Sequence, residues 1–336
     1  NLRRFEKWPR GDSDAELAAH ALIEGDATLA MTVYMAKNPL VALAFSRSLT
    51  AGVATEQYDQ APRAMRETLI FPYLQGSEWA TQLYRRGGWA MVSRAFTRLP
   101  LSTEQILHAE KYLSYERPVK VLLPDLTSLL NAGGEQVGVG SRQSAIGSQQ
   151  SAVGSPRNPG ASHAAGVESR AIHGRVNRRS LTAAQRTLPA GAWHHIDTDV
   201  NGEWGYYLIL DQFLNTAAES KRATAGWAGD RYALYEGPTG QVFVAESTAW
   251  DTENDAREFL DAYVKRTELR YPNATQVDAS AMEPAARNSK LETGVRHSWR
   301  TSEGTVVLEQ RGNRVVILEG IPADADSNAL LQALWR

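Results

Sequence analysis

The sequence predicts two folded parts of different class: a mainly α N-terminal domain over residues 1–130 and an α+β domain over 186–336, joined by a disordered linker over 131–185. Three observations carry this. Apolar residues recur at spacings of three and four between capping signals as far as about Leu130. Strand-like alternation and a hairpin occur only after about Leu188. Between the two lies a Gly-, Ser- and Gln-rich tract in which SRQSAIG (141–147) is followed at once by SQQSAVG (148–154). That repeat carries Gly at each period and one aliphatic residue beyond Ala. It is no coiled-coil seam, and it cannot bury enough surface to offset its chain entropy.

Within the helical part, Ser13 followed by Glu16 reads as a capping box opening a helix over Asp14–Lys37, closed by Asn38–Pro39. A second run reaches about Ser48. Pro62 opens a third run through Arg66 and Ile70, and a fourth passes Phe71, Leu74, Trp79 and Leu83 to break at Gly87–Gly88. Trp89–Arg98 makes a short helix stopped by Pro100. Ser102 with Gln105 is a second capping box, opening one helix over Thr103–Tyr112.

In the α+β part, Trp204–Asn215 and Thr216–Ala225 read as helices, the first apolar enough to be a strand. Arg231–Tyr235 and Val242–Thr248 read as strands joined by the Pro-Thr-Gly turn at 238–240. Asp251 or Thr252 caps a helix to about Leu269 with the stripe Ala256, Phe259, Leu260 and Tyr263. Thr305–Gln310 and Arg314–Glu319 flank a turn at 311–313, and Asn328–Trp335 closes the chain as a helix.

Bulk properties exclude several functions. The net charge of −2 leaves no overall electrostatic footprint for nucleic acid. No run of about 18 apolar residues is present, so no membrane span is expected. There is no cysteine, which removes disulfides, thiol nucleophiles and Cys-ligated zinc, and any metal must use His, Asp or Glu. There is no phosphate-cradling loop, dinucleotide fingerprint or nucleophile elbow.

Glu24 is the residue that asks for an explanation. On the helix wheel it shares a stripe with Leu17, Ala21, Thr28, Met31 and Met35, so it is expected to face protein. An ionised acid there needs a cation, a metal or several donors. Gly25 beside it costs roughly 1 kcal/mol relative to Ala, which points to close approach of another backbone. His20, one turn earlier, is a weaker metal-ligand candidate. An ion pair with an Arg from another helix is the plain alternative for Glu24.

The stretch DAELAAHALIEGDAT (14–28) resembles the third-ligand helix of bacterial gluzincin-type zinc metallopeptidases. The resemblance continues through FPYLQGSEWATQLYRRGGWAMVSRAF (71–96) and LPLSTEQILHAEKY (99–112), covering most of residues 1–115. It implies a zincin-like helical domain, an exported setting and a peptide or protein substrate. It also implies zinc held by two His of a His-Glu-x-x-His helix and by a downstream Glu, which maps onto Glu24. In such a site the metal activates a water while the helix Glu takes its proton. This chain contains no His-Glu-x-x-His. The implied expectation is that the motif precedes Asn1, and that the chain alone is inactive.

Further candidates are His108 and Tyr112, four apart and so on one face if the helix persists, where either could donate to an oxyanion or contact substrate. Lys111 is a weaker one, and Tyr73 could line a cleft. A competing reading is a non-catalytic module that recognises a peptide, glycan or partner protein through Trp193, Trp204, Trp227, Trp250, Trp299 and Trp335. Core packing is the plain reading of those six. Asp230 and Arg231 are expected to form a turn with a local ion pair, and His194 and His195, if on a strand, face opposite ways.

Overall fold

A computed structural model describes residues 11–50, 56–132, 191–277 and 294–336. The expected linker and its tandem repeat fall outside them, apart from Asn131 and Ala132. A helical region and an antiparallel sheet domain follow one another along the chain, as the patterns predict.

Helix α1 runs over Ser13–Lys37, α2 over Pro39–Thr50, α3 over Glu56–Gln60 and α4 over Arg63–Ala95. The start of α1 differs from expectation. Asp12, not Ser13, is the cap, accepting from the Ala15 amide at 2.9 Å. Ser13 is drawn away by a distant acid: its amide donates to Asp199 at 2.8 Å and its hydroxyl donates to the same carboxylate. The buried stripe of α1 is Ala15, Ala18, Leu22, Gly25 and Leu29. The helix is therefore buried along one side and not all round. Beyond Leu29 its apolar residues open outward, with Met31 and Tyr34 exposed.

The anchor of α1 is its crossing with α4. A Cβ on Gly25 would overlap the Gly76 carbonyl and lie 2.9 Å from the Gly76 Cα, and one on Gly76 would overlap the Ala21 carbonyl. Only two glycines let the backbones meet this closely, which is the close approach expected at Gly25. Trp79, Ala80 and Leu83 on α4 and Leu22 on α1 are fully buried around the crossing. The two runs expected between Pro62 and Leu83 are a single helix that continues through Pro72, and Gly87 and Gly88 break it where foreseen, Gly88 at φ +62°.

Helices α5 (Thr103–Leu107) and α6 (Ala109–Ser114) stand where one helix was expected. Ser102 caps α5 through the Gln105 amide, but the Gln105 side chain accepts from Leu101 and donates to the Glu116 carbonyl, so no reciprocal box forms. The helix breaks at His108 (φ −124°, ψ 86°). Helix α7 (Thr127–Ala132) packs on the sheet through Leu126 and Leu130.

Among the described residues seven strands form one antiparallel sheet in the order β1-β2-β3-β7-β6-β5-β4. These are β1 (His194–Asp199), β2 (Trp227–Glu236), β3 (Val242–Trp250), β4 (Thr275–Gln276), β5 (Val295–Thr301), β6 (Gly304–Arg311) and β7 (Arg314–Ile321). Helices α8 (Gly202–Leu214), α9 (Ala217–Thr224), α10 (Glu253–Arg270) and α11 (Ser327–Leu334) complete the fold. Period-two alternation fills both faces. Val306, Leu308, Val315 and Ile317 meet α8 and α10 on one side, while Val307, Val316 and Leu318 meet α7 and α11 on the other. Thr252 and Asp255 cap α10 reciprocally.

The two parts share one core. Trp204, Tyr207 and Leu208 of α8 are buried among the N-terminal helices, with Trp204 4.7 Å from Phe71 between ring centroids. Among the described residues no single helix is long and apolar enough to cross a membrane, and the pair α1 and Pro39–Arg47 is bent by 117°.

Candidate functional site

The first site residue foreseen, Glu24, lies on the flank of α1, half-buried. It makes no hydrogen bond or ion pair among the described residues, so the Arg partner of the plain reading is not there. His20, one turn earlier, is exposed. No three carboxylate or imidazole donors converge on Glu24 among the described residues. Both helices leave apolar side chains outside: Met31 and Tyr34 on α1, and Met65, Leu69 and Tyr73 at four-residue spacing on α4.

The second is His108. His108 is the residue at which α5 ends and the cap of α6, and its side chain leaves in a different direction from that of Tyr112. Tyr112 turns into the helical core against Trp79 and donates to the Arg98 carbonyl at 2.8 Å. His108 turns instead to the junction, where its Nε2 lies 2.9 Å from Oε1 of Glu203 in the first turn of α8. The pair borders a cleft of about 260 Å³ walled by α4, α5, α8 and α9, with Glu78, Gln82, Trp204, Tyr207 and Lys221 also on its surface. The Glu203 side chain is 5 % exposed and its Oε2 has no hydrogen-bond partner among the described residues, nor has the indole Nε1 of buried Trp204. The hydrogen bond to Glu203 raises the His108 imidazole above its ordinary pKa, with burial opposing. Burial raises the Glu203 carboxyl, and the bond to His108 opposes that.

Lys111, the weaker candidate, is structural. Its ammonium lies 2.6 Å from Glu104, 3.0 Å from Glu116 and 2.5 Å from Asp251. Those carboxylates are close enough together to serve one metal ion, but the ammonium already meets all three. Burial pushes the Glu104 carboxyl up to about 8 against the Lys111 charge.

Around the start of α8 a chain of buried acids ties the two parts together. Asp14 accepts from the Thr103 amide and, at 2.5 Å, from the Thr103 hydroxyl. It packs on Gly202, where φ is +70° and a Cβ would overlap its carboxylate. Asp230 is no turn residue. It is buried in β2 and accepts from the amides of Asn201 and Gly202 and from Nε1 of Trp227, while Arg231 reaches the Gly11 carbonyl. Burial raises Asp14 well above the usual carboxylate range and pushes Asp230 up to about 7. His194 and His195 lie next to each other on edge strand β1.

Five of the six tryptophans named from the sequence are buried: Trp193, Trp204, Trp227, Trp250 and Trp299. Trp335 is partly exposed, with Arg311 4.6 Å from its ring centroid. Tyr73 is 42 % exposed on the outer face of α4.

Residues 189–331 match a family described as a domain of unknown function (DUF8575). The matched stretch contains Glu203 and Trp204 but neither His108 nor Glu24. No curated protein and no solved structure matches the chain.

Proposed function

We propose that this chain is part of a zinc-dependent peptidase of the gluzincin type, contributing Glu24 as the third metal ligand, with the His-Glu-x-x-His helix supplied from outside these residues. In this reading the other ligands come from elsewhere, because at Glu24 the described residues gather no companion donors. What they provide is position. The glycine crossing fixes α1 on α4, and Glu24 projects from the turn that contains Gly25.

The single observation that carries the reading is the state of Glu24: a half-buried carboxylate with no ion pair among the described residues, on a firmly anchored helix, within a sequence block that resembles the third-ligand helix. The outward apolar residues of α1 and α4 offer a further helix a surface to pack on. A peptide or protein substrate and an exported location belong to the same reading. Of the six tryptophans on which the alternative binding reading rests, five are core and Trp335 is partly exposed.

The experiment is proteolysis. The chain as given should not cleave casein, with or without added zinc. The product of the complete gene should cleave it in a chelator-sensitive way, and Glu24→Gln should abolish that cleavage. Chelator-sensitive proteolysis by the chain alone would overturn the proposal, as would a complete product that is active with Gln at position 24.

A further inference from the structure

The cleft between the helical and sheet parts has no role in the reading above, yet it is built like a binding site. Four helices from both parts wall it, and the break at His108 aims the imidazole at Glu203 across the junction. His108 occupies one oxygen of Glu203. The other is buried and lacks a donor among the described residues, a state that costs about 1–3 kcal/mol or more for a charged group. Nε1 of Trp204, the next residue, is buried and lacks an acceptor among the described residues. Both side chains line the cleft, so one ligand that enters it with a cationic donor and an acceptor answers both once small rotations turn these covered atoms toward it.

The charges around the cleft fit the same description. Glu78 and Glu203 supply negative charge and Lys221 supplies positive, to which His108 adds when it is protonated. A purely anionic ligand would meet both carboxylates and a purely cationic one would meet Lys221. The volume, below the usual range for drug-sized ligands, suits a small molecule or the end of a larger one. We propose that this cleft binds the amino end of an amino acid or short peptide, with the ammonium on Glu203 and the adjacent carbonyl on the Trp204 indole. The proposal does not depend on Glu24 or on zinc.

The test is calorimetric titration of the full chain at neutral pH with alaninamide, which has an ammonium and a carbonyl, and with N-acetylalaninamide, whose amino group is blocked. Alaninamide should bind saturably, and the acetylated compound at least about tenfold more weakly, as expected for loss of a charged hydrogen bond. Glu203→Gln should weaken alaninamide by a similar factor, and Trp204→Phe by less. Gln82→Phe, which fills the cleft from α4, should abolish binding and keeps the test decisive if the α8 variants fail to fold. Absence of saturable binding, equal binding of the acetylated compound, or unchanged binding in Gln82→Phe would overturn the proposal. So would propionate binding as tightly as alaninamide with loss in Lys221→Ala, which would make the cleft an anion site.

Discussion

Replacing Gly76 by Ala tests the geometry on which the position of Glu24 depends. In an ordinary helix interior the change is favourable by about 1 kcal/mol, because Ala is the better helix former. Here the new methyl would overlap the Ala21 carbonyl oxygen and sit 3.0 Å from its carbon and 3.1 Å from its Cα. Carbon pairs rest at about 3.5–4.0 Å, and the overlap with the carbonyl oxygen is tighter still, so α1 must retreat by roughly 1 Å, and a gap of that size forfeits about half of each contact energy across it. The contacts at stake involve Leu22, Trp79, Ala80 and Leu83, all fully buried. The obstacle is helix backbone, which cannot rotate away, so the overpacking cost belongs at the upper end of the usual range, about 3 kcal/mol. Less the propensity gain, Gly76→Ala should lose about 2 kcal/mol, read as a lower urea midpoint with an unchanged slope. Gly25→Ala should cost a similar amount, and the double variant less than the sum, because one retreat relieves both clashes. A Gly76→Ala protein that is stabilised by about 1 kcal/mol would refute the close crossing.

Other outcomes follow from the buried charges. Asp230, with its pKa raised to about 7, contributes stability that is complete below its unfolded value near 3.8 and is lost as pH rises through about 7. His108, also raised, adds stability present below about 6.5 and lost as pH climbs through its higher folded value. Glu319 is lowered by Arg266 and Arg270 against burial, so its contribution is lost only as pH falls below about 4.5. The urea midpoint should therefore fall between about pH 5 and pH 8, and Asp230→Asn should flatten that fall; a midpoint rising over this range contradicts the assignment. Glu319→Gln strands the buried Arg266 guanidinium and should cost about 3–5 kcal/mol, measurable by the same unfolding curve. Lys111→Ala removes the cation shared by Glu104, Glu116 and Asp251 and should cost about 3 kcal/mol, with added calcium recovering part of it in a thermal melt.

What was legible from sequence is what local pattern controls. The α10 stripe of Ala256, Phe259, Leu260 and Tyr263 is buried as read, the hairpin turns at 311–313, and Gly25 marks a backbone crossing. Strands β1 and β5 escaped because His194–Asp199 and Val295–Thr301 are largely polar and lack the apolar alternation of β6 and β7. The junction was invisible for a different reason. Ser13 meets Asp199, Asp14 meets Thr103, and His108 meets Glu203 across separations of 186, 89 and 95 residues, and no short window shows such a pairing. The same distant demands explain the local misreadings: Ser13 is recruited away from its cap, and Thr103–Tyr112 breaks at His108. A signal for Glu203 did exist, in an acid placed at the first turn of a very apolar helix directly after a glycine.

The most direct test of the central claim is the zinc content of the complete gene product, purified without added metal, with Glu or Gln at position 24. Close to one zinc per chain is expected for Glu24 and a large loss for Glu24→Gln, with the fold retained by circular dichroism. Equal zinc in the two proteins, or none in either, would contradict the claim.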